Sequence, residues 1–469
     1  MKNHAEVVIV GAGISGLTAA YALARRGRDV LVLERRGAAG GRIRTERCGG
    51  FLLEHGPNAM ISPAAGAEDL IAALGLRDER AARSDRVRRR YLVRDGEARA
   101  LALDPLRFFA SGYFSLAGRL RLLAEPFVAP RHDDESVAQF ARRRFGREIC
   151  DYLFDPLVGG LYAGDAERLS ISAMFPQLKR LEREHGSVIR GIATARRKSQ
   201  GAFDPRRRSL FSFRGGMEAL PAALADSLSG RVALDTRLEQ IEPLRRGGFR
   251  LKVRHRDAPA TLVAENIVLA LPAYAAARAV ASLDADAAHA LAQIEHPPLA
   301  LAYLGYEARA VSHPLDGLGV LMPGAERRSV LGIIFSSTVF PGRAPDGHAL
   351  LTAYVGGARQ PALALLPPEE LIATCHAEAA ALLGARRQPA FARVHYWRSG
   401  LPQPALGHAA RVEAIRALEA RCPGLFITGN YLGGVSTAAC IDSALEVAER
   451  VRPGSALSDT HPLRAAAGA

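Results

Sequence analysis

The strongest constraint on this chain lies at its start, in Val7-Val8-Ile9-Val10-Gly11-Ala12-Gly13-Ile14-Ser15-Gly16, with Glu34 closing the next apolar run. Four β-branched residues in a row specify a strand buried on both faces, and Leu17, Ala20, Leu23 and Ala24 specify a helix directly behind it. Gly11 permits the tight turn between them, Gly13 lets the backbone approach a pyrophosphate, and Gly16 lets the helix pack closely on the strand. At Ile14 and Ser15 the helix N-terminus offers free N–H groups and its positive dipole end to the phosphates. Arg25-Arg26-Gly27 ends the helix, placing cations at its negative end and a glycine after it. A second strand, 29–33, then delivers Glu34 and Arg35. The Glu34 carboxylate suits both hydroxyls of an adenosine ribose and would repel the extra phosphate of NADP. Residues 7–24 carry no charge and have the length of a signal sequence or membrane span. The nucleotide reading explains each glycine and the span reading explains none, so the chain is expected to begin in the cytosol, inside its first domain.

A second phosphate-approach segment follows in Ala39-Gly40-Gly41-Arg42-Ile43-Arg44-Thr45. Paired glycines give backbone access there and the arginine supplies charge. This pattern resembles the flavin-dependent amine oxidase superfamily, which implies FAD as the cofactor. The resemblance continues at Glu54-His55-Gly56-Pro57-Asn58, a segment that runs beside the flavin in that superfamily. It returns in Thr428-Gly429-Asn430-Tyr431-Leu432-Gly433-Gly434-Val435-Ser436, a glycine loop before a helix from about residue 437 to 451. The N-terminus of that helix could hold the negative charge of a reduced flavin ring. The same resemblance places backbone near Val232 against the adenine. Cofactor contacts at both ends of the chain imply one discontinuous domain.

Within the superfamily, Asp155-Pro156-Leu157-Val158-Gly159-Gly160-Leu161-Tyr162-Ala163-Gly164-Asp165, the Leu169-Ser170 and Phe175-Pro176 pairs, and Arg214-Gly215-Gly216-Met217 resemble the protoporphyrinogen oxidase family. That resemblance implies a porphyrinogen substrate walled by Leu157 and Gly160, with Arg107 paired to a propionate. It also implies hydride transfer from a bridging carbon of the macrocycle to flavin N5, repeated until the ring is aromatic, with molecular oxygen as the usual acceptor and a quinone left open. The flavin carries the difficult step, and no residue is marked as a general base. His55 is read as a buried structural histidine. Coproporphyrinogen differs only in carboxylate count and stays open, as do other oxidases and desaturases on this fold and a carrier without catalysis. A flavin-facing lysine is common among the amine oxidases of the superfamily, yet this chain has only Lys2, Lys179, Lys198 and Lys252, none beyond residue 273. Arginine does not replace lysine easily in that role, which argues against an amine substrate.

The 469 residues fit two or three domains. The fold class expected is α/β: a discontinuous Rossmann-like FAD-binding domain (1–83, 201–272 and 395–454), an α+β substrate-binding domain (273–394), a mostly helical insert (84–200) and a disordered tail (455–469). Five scattered cysteines without a CxxC pair point to a reducing compartment and to no metal site. The net charge of +14 has no aromatic-rich basic motif beside it, so no nucleic-acid partner is expected. The stretch 108–128 alternates Phe109, Tyr113, Phe114, Leu116, Leu120, Leu123 and Phe127 with Arg119 and Arg121, which suits peripheral contact with an anionic membrane. Runs at 88–90, 142–144 and 206–208 are expected to be solvated arginine faces. Localisation is read as cytoplasmic, with the cytoplasmic membrane as a docking surface, and oligomeric state is left open.

Overall fold

The computed structural model describes residues 2–62, 64–101, 112–198 and 209–452; Arg107, Phe108, Phe109, the 206–208 arginines and the 455–469 tail lie outside them. Two seven-stranded sheets organise the chain. The first runs Val232–Ala233, Val30–Leu33, His4–Val10, Ala258–Leu269, Phe249–His255, Thr236–Pro243, with Leu425–Ile427 also paired to Ala258–Leu269. That long strand is used twice. Its first half pairs antiparallel with Phe249–His255 and alternates in burial, whereas Ile267, Val268 and Leu269 pair parallel with Leu425–Ile427 and are wholly buried. The pattern fits a strand that is half solvated at one end and covered on both faces at the other.

Helices cover both faces of this sheet. Leu17, Leu70, Leu220 and Ile441 bring four helices onto one face, so residues more than 400 apart in sequence share one core. The other face is covered by Ala273–Val280, Ala285–Ala292 and His408–Arg421. The first two were expected in the substrate domain. Their alanine faces, with Ala273, Ala276 and Ala287 fully buried, instead let them lie close against the cofactor-side sheet.

The second sheet runs Phe391–Trp397, Leu299–Glu307, His348–Gly356, Gly332–Ile334, Gly317–Leu321, Arg89–Arg94, Glu97–Leu101. Two expected boundaries shift here. Phe391–Trp397 belongs to this sheet throughout, beyond residue 394. Residues 89–101 form a hairpin rather than part of a helical insert, because Asp95 and Gly96 both take positive φ (54° and 79°), the geometry of a two-residue Asp-Gly turn.

The helical layer begins at Leu116–Leu123 and continues from Val137–Phe145 to Val188–Lys198. Tyr113 and Phe114 point into its core while Leu116, Leu120, Leu123 and Phe127 point out, so the apolar stretch is split between two environments. The split occurs at Ser115, whose Oγ accepts from Gly118 N at 3.0 Å and starts the helix there. The 142–144 run is likewise not one solvated face. Arg144 is fully buried, and all five of its N–H groups are engaged by the Glu182 and Glu125 carboxylates and the carbonyls of Val128 and Gly186.

Candidate active site

The glycine loops meet at the C-terminal edge of the first sheet, the edge at which doubly wound folds bind their ligands. Gly11 has φ +107°, and a Cβ placed on it would lie 2.5 Å from the Ala270 carbonyl oxygen; one placed on Gly429 would lie 3.4 Å from the Leu271 carbonyl oxygen. Segment 270–271 therefore touches both loops and brings the two ends of the chain to one groove. Gly40 donates its N–H to Ala12 O at 2.8 Å, and Gly41, at φ +63°, packs against Gly13. Gly16 allows the close helix approach expected of it, since a Cβ there would fall 1.9 Å from Gly11 O.

A pyrophosphate fits this cradle. Gly13 has only the Gly41 Cα at 3.9 Å on its side-chain side, and the helix Ile14–Arg25 has neither a side-chain cap nor an acidic residue in its first turn. Its leading N–H groups remain available to an anion. Glu34 is buried at the end of its strand, accepting from Ala12 N at 2.9 Å and Arg36 N at 3.0 Å, while Arg35 is exposed. Val232 lies on the neighbouring strand, whose Ala233 carbonyl accepts from Glu34 N. Ser436 caps the helix Thr437–Arg450, its Oγ accepting from Ala439 N at 3.1 Å, with Val435 and the partly exposed Asn430 in the preceding loop.

Between the two sheets, Arg42 donates to Gly400 O at 3.0 Å and lies over the ring of Trp397, the chain's one tryptophan. Gly56 must be glycine, because a Cβ would sit 2.2 Å from Arg42 O. Trp397 Nε1 donates to His55 O at 2.6 Å and Asn58 Nδ2 to the Tyr354 hydroxyl at 2.5 Å, so 55–58, including Pro57, is pinned from the second sheet. The His55 ring is buried, stacked on His395 at 4.1 Å and bonded to Tyr303 and Glu46. Burial lowers its pKa against the pull of Glu46, which suits a structural histidine. Arg214-Gly215-Gly216-Met217 is also structural: Met217 N donates to the buried Glu54 carboxylate at 2.9 Å, and Gly216 has φ +100° against Thr45.

Leu157, Gly160 and Leu161 form the more open face of the helix Asp155–Tyr162, beside Leu321. Lys2, Lys179 and Lys252 pair with acids in the first sheet and the helical layer, and no lysine lies on the second sheet. Sequence reading did not single out Trp397, Gly400, Tyr354 or Arg359. A lone tryptophan followed by Gly-Leu-Pro was the available signal for the first two; the others lie in strands and loops with no motif.

A model of the flavin-containing amine oxidoreductases matches residues 14–452. The chain belongs to that family. Protoporphyrinogen oxidase 2, chloroplastic/mitochondrial, of Arabidopsis thaliana is 32% identical over 95% of this chain and 93% of its own length. Coproporphyrinogen III oxidase of Bacillus subtilis is 27% identical over 94% and 96%. The fold is that of a crystal structure from Exiguobacterium sp. 255-15 assigned to protoporphyrinogen oxidase, with a TM-score of 0.82 at 23% identity over 96% of this chain and 99% of that one. This flavin-containing amine oxidoreductase is an FAD-dependent oxidase, as its glycine segments implied.

Proposed function

We propose that this oxidase converts protoporphyrinogen IX to protoporphyrin IX, using molecular oxygen as acceptor and releasing peroxide. The observation that carries this reading is similarity to protoporphyrinogen oxidases along 95% of the chain. The apolar face of Asp155–Tyr162 and a second sheet without lysine support it. FAD, when bound, supplies the two-electron acceptance that no side chain can provide. Gly11, Gly13, Gly16, Gly40 and Gly41 would admit its pyrophosphate and Glu34 its ribose, while Arg42, Gly56 and Asn58 fix the wall between the sheets. Leu157 and Gly160 would meet the macrocycle, and Arg107 would pair with a propionate.

Anaerobically prepared protoporphyrinogen and coproporphyrinogen, given to purified holoenzyme, test this reading through porphyrin fluorescence and peroxide. Faster turnover of the dicarboxylate is expected; faster turnover of the tetracarboxylate would move the assignment to coproporphyrinogen. No fluorescence above autoxidation with either would remove it.

The same reading includes docking on the cytoplasmic membrane surface, where an insoluble product would be handed on. No helix among the described residues is long and apolar enough to cross a membrane. Leu116, Leu120 and Leu123 on the helix Leu116–Leu123 are 65%, 56% and 63% exposed, and Phe127 on the turn Glu125–Phe127 that follows is 84% exposed. Each such side chain gains about 1.5–3 kcal/mol on full burial, so even partial insertion of four would bind lipid measurably. Phe127→Asp is therefore expected to reduce sedimentation with anionic vesicles at least tenfold while detergent-supported turnover is kept. Unchanged sedimentation would return the stripe to an ordinary exposed surface.

A further inference from the structure

The helix Asp155–Tyr162 is held in an unusual way. It continues from a π-helical turn, Cys150–Phe154, and Pro156 supplies no N–H to the Tyr152 carbonyl. The Tyr113 hydroxyl donates to that carbonyl instead, at 3.3 Å. The helix thus enters its last two turns already detached from regular α-helical bonding.

One short loop of the second sheet grips it at both ends. At the C-terminal end Ala163 takes φ +50°, a strained value for alanine, and its carbonyl accepts from Ala358 N at 2.8 Å. Gly357 lies directly beneath, where a Cβ would fall 2.3 Å from Ala163 O. At the N-terminal end Arg359 Nη1 donates to Asp155 Oδ2 at 2.7 Å, and Gly324 N donates to the same oxygen at 2.6 Å. Burial raises the Asp155 pKa above its ordinary value, against the opposing pull of Arg359 and the Gly324 N–H. Between the two grips Arg359 crosses the helix where Gly159 has no side chain; a Cβ there would lie 2.6 Å from Arg359 Nη2. The loop therefore spans nearly the whole helix, about 12 Å for eight residues.

We propose that Arg359, acting through Asp155 and over Gly159, is a positioning residue that sets how far the Leu157–Gly160–Leu161 face stands from the second sheet, and with it the width of the substrate chamber. The glycine pair divides its work. Gly159 admits the arginine, while Gly160 leaves room for Leu321, whose Cδ2 would be 2.4 Å from a Cβ. The role in the chamber rests on the porphyrinogen reading; the clamp itself does not.

Two variants approach the clamp from opposite sides. Arg359→Gln removes the ion pair, and Gly159→Ala pushes the guanidinium away. In holoenzyme each is expected to raise KM for porphyrinogen about tenfold with kcat within twofold and with flavin content unchanged. The double variant should be no worse than either single one, and Arg359→Lys should recover part of the loss. Amide hydrogen exchange across 155–163, read without substrate, should rise at least tenfold in both single variants. Wild-type exchange in Arg359→Gln would overturn the clamp. Faster exchange with an unchanged KM would overturn its role in the chamber. If wild-type enzyme turned over neither porphyrinogen, the substrate reading and the chamber role would both fall, and the exchange result alone would decide the clamp.

Discussion

Replacing Gly13 with alanine is expected to leave the apoprotein folded and to remove most of its flavin. The two outcomes separate because of where the methyl group would go. Gly13 has φ −82° and ψ 179°, a conformation open to any residue, and its nearest neighbour in the Cβ direction is the Gly41 Cα at 3.9 Å. Nothing in the protein resists the substitution. The methyl instead occupies the approach to the first N–H groups of Ile14–Arg25, where a pyrophosphate must come within hydrogen-bond distance. A hundredfold loss of FAD affinity, about 2.7 kcal/mol, is the expected scale. Flavin released on denaturation gives the occupancy, and urea unfolding of apoprotein gives the stability.

Gly16→Ala serves as the contrast. Its Cβ would meet Gly11 O at 1.9 Å, so the helix must move off the strand, and both stability and flavin should fall. Gly27→Ala is the second comparison. With φ +77° and no atom within 4 Å, it should cost only about 1 kcal/mol and keep its flavin. Full flavin occupancy in Gly13→Ala would show that this turn is not where the cofactor binds.

The largest loss of stability is expected from Arg144→Met. Arg144, Glu125 and Glu182 are fully buried, with Arg143, Lys179 and Glu135 around them. Glu125 also receives Val188 N at 2.9 Å and the Ser187 hydroxyl, tying the turn that ends at Phe127 to the start of the helix Val188–Lys198. Removing the arginine leaves the Glu125 carboxylate without a cation in the interior and Glu182 with only Arg143 and Lys179, which costs about 3–5 kcal/mol. The effect should be local, appearing as urea sensitivity and proteolysis within 112–198 while the cofactor groove holds.

The network also predicts acid lability with a definite sign. Burial opposes ionisation of Glu182, but hydrogen bonds from Arg144, Arg143 and Lys179 outweigh it and hold its pKa below the ordinary glutamate range. Its stabilisation is therefore complete above about pH 4.5 and is lost as pH falls through the lower folded value. Arg144→Met should weaken that dependence, with Arg143 and Lys179 still holding Glu182. A helical layer equally stable in the variant would show that the buried charges contribute little beyond their volume.

The sequence by itself determined the cofactor edge. Gly11, Gly16, Gly40 and Gly41 stand where backbone sterics allow little else, Gly13 stands where a pyrophosphate must approach, and the run Val7–Val10 can only be a covered strand. Such constraints are local: each depends on a turn and the helix or strand beside it. The pairing of the two chain ends was legible for the same reason, because each end carries its own glycine loop and helix N-terminus.

The tertiary structure decided the rest. Three adjacent arginines at 142–144 look alike in sequence, yet Arg144 is buried because Glu125 arrives from a turn 19 residues before it and Glu182 from a helix 38 residues after it. The apolar stretch around Leu116 has one period, yet Tyr113 and Phe114 turn inward and Phe127 outward, since Ser115 and Glu148 fix where the helix starts. Asp155 and Arg359 are 204 residues apart, and no local pattern pairs them. Charge pairing and burial depend on what comes to face a residue. Only the folded chain supplies that neighbour, whereas a glycine's freedom at a turn is written into its own backbone.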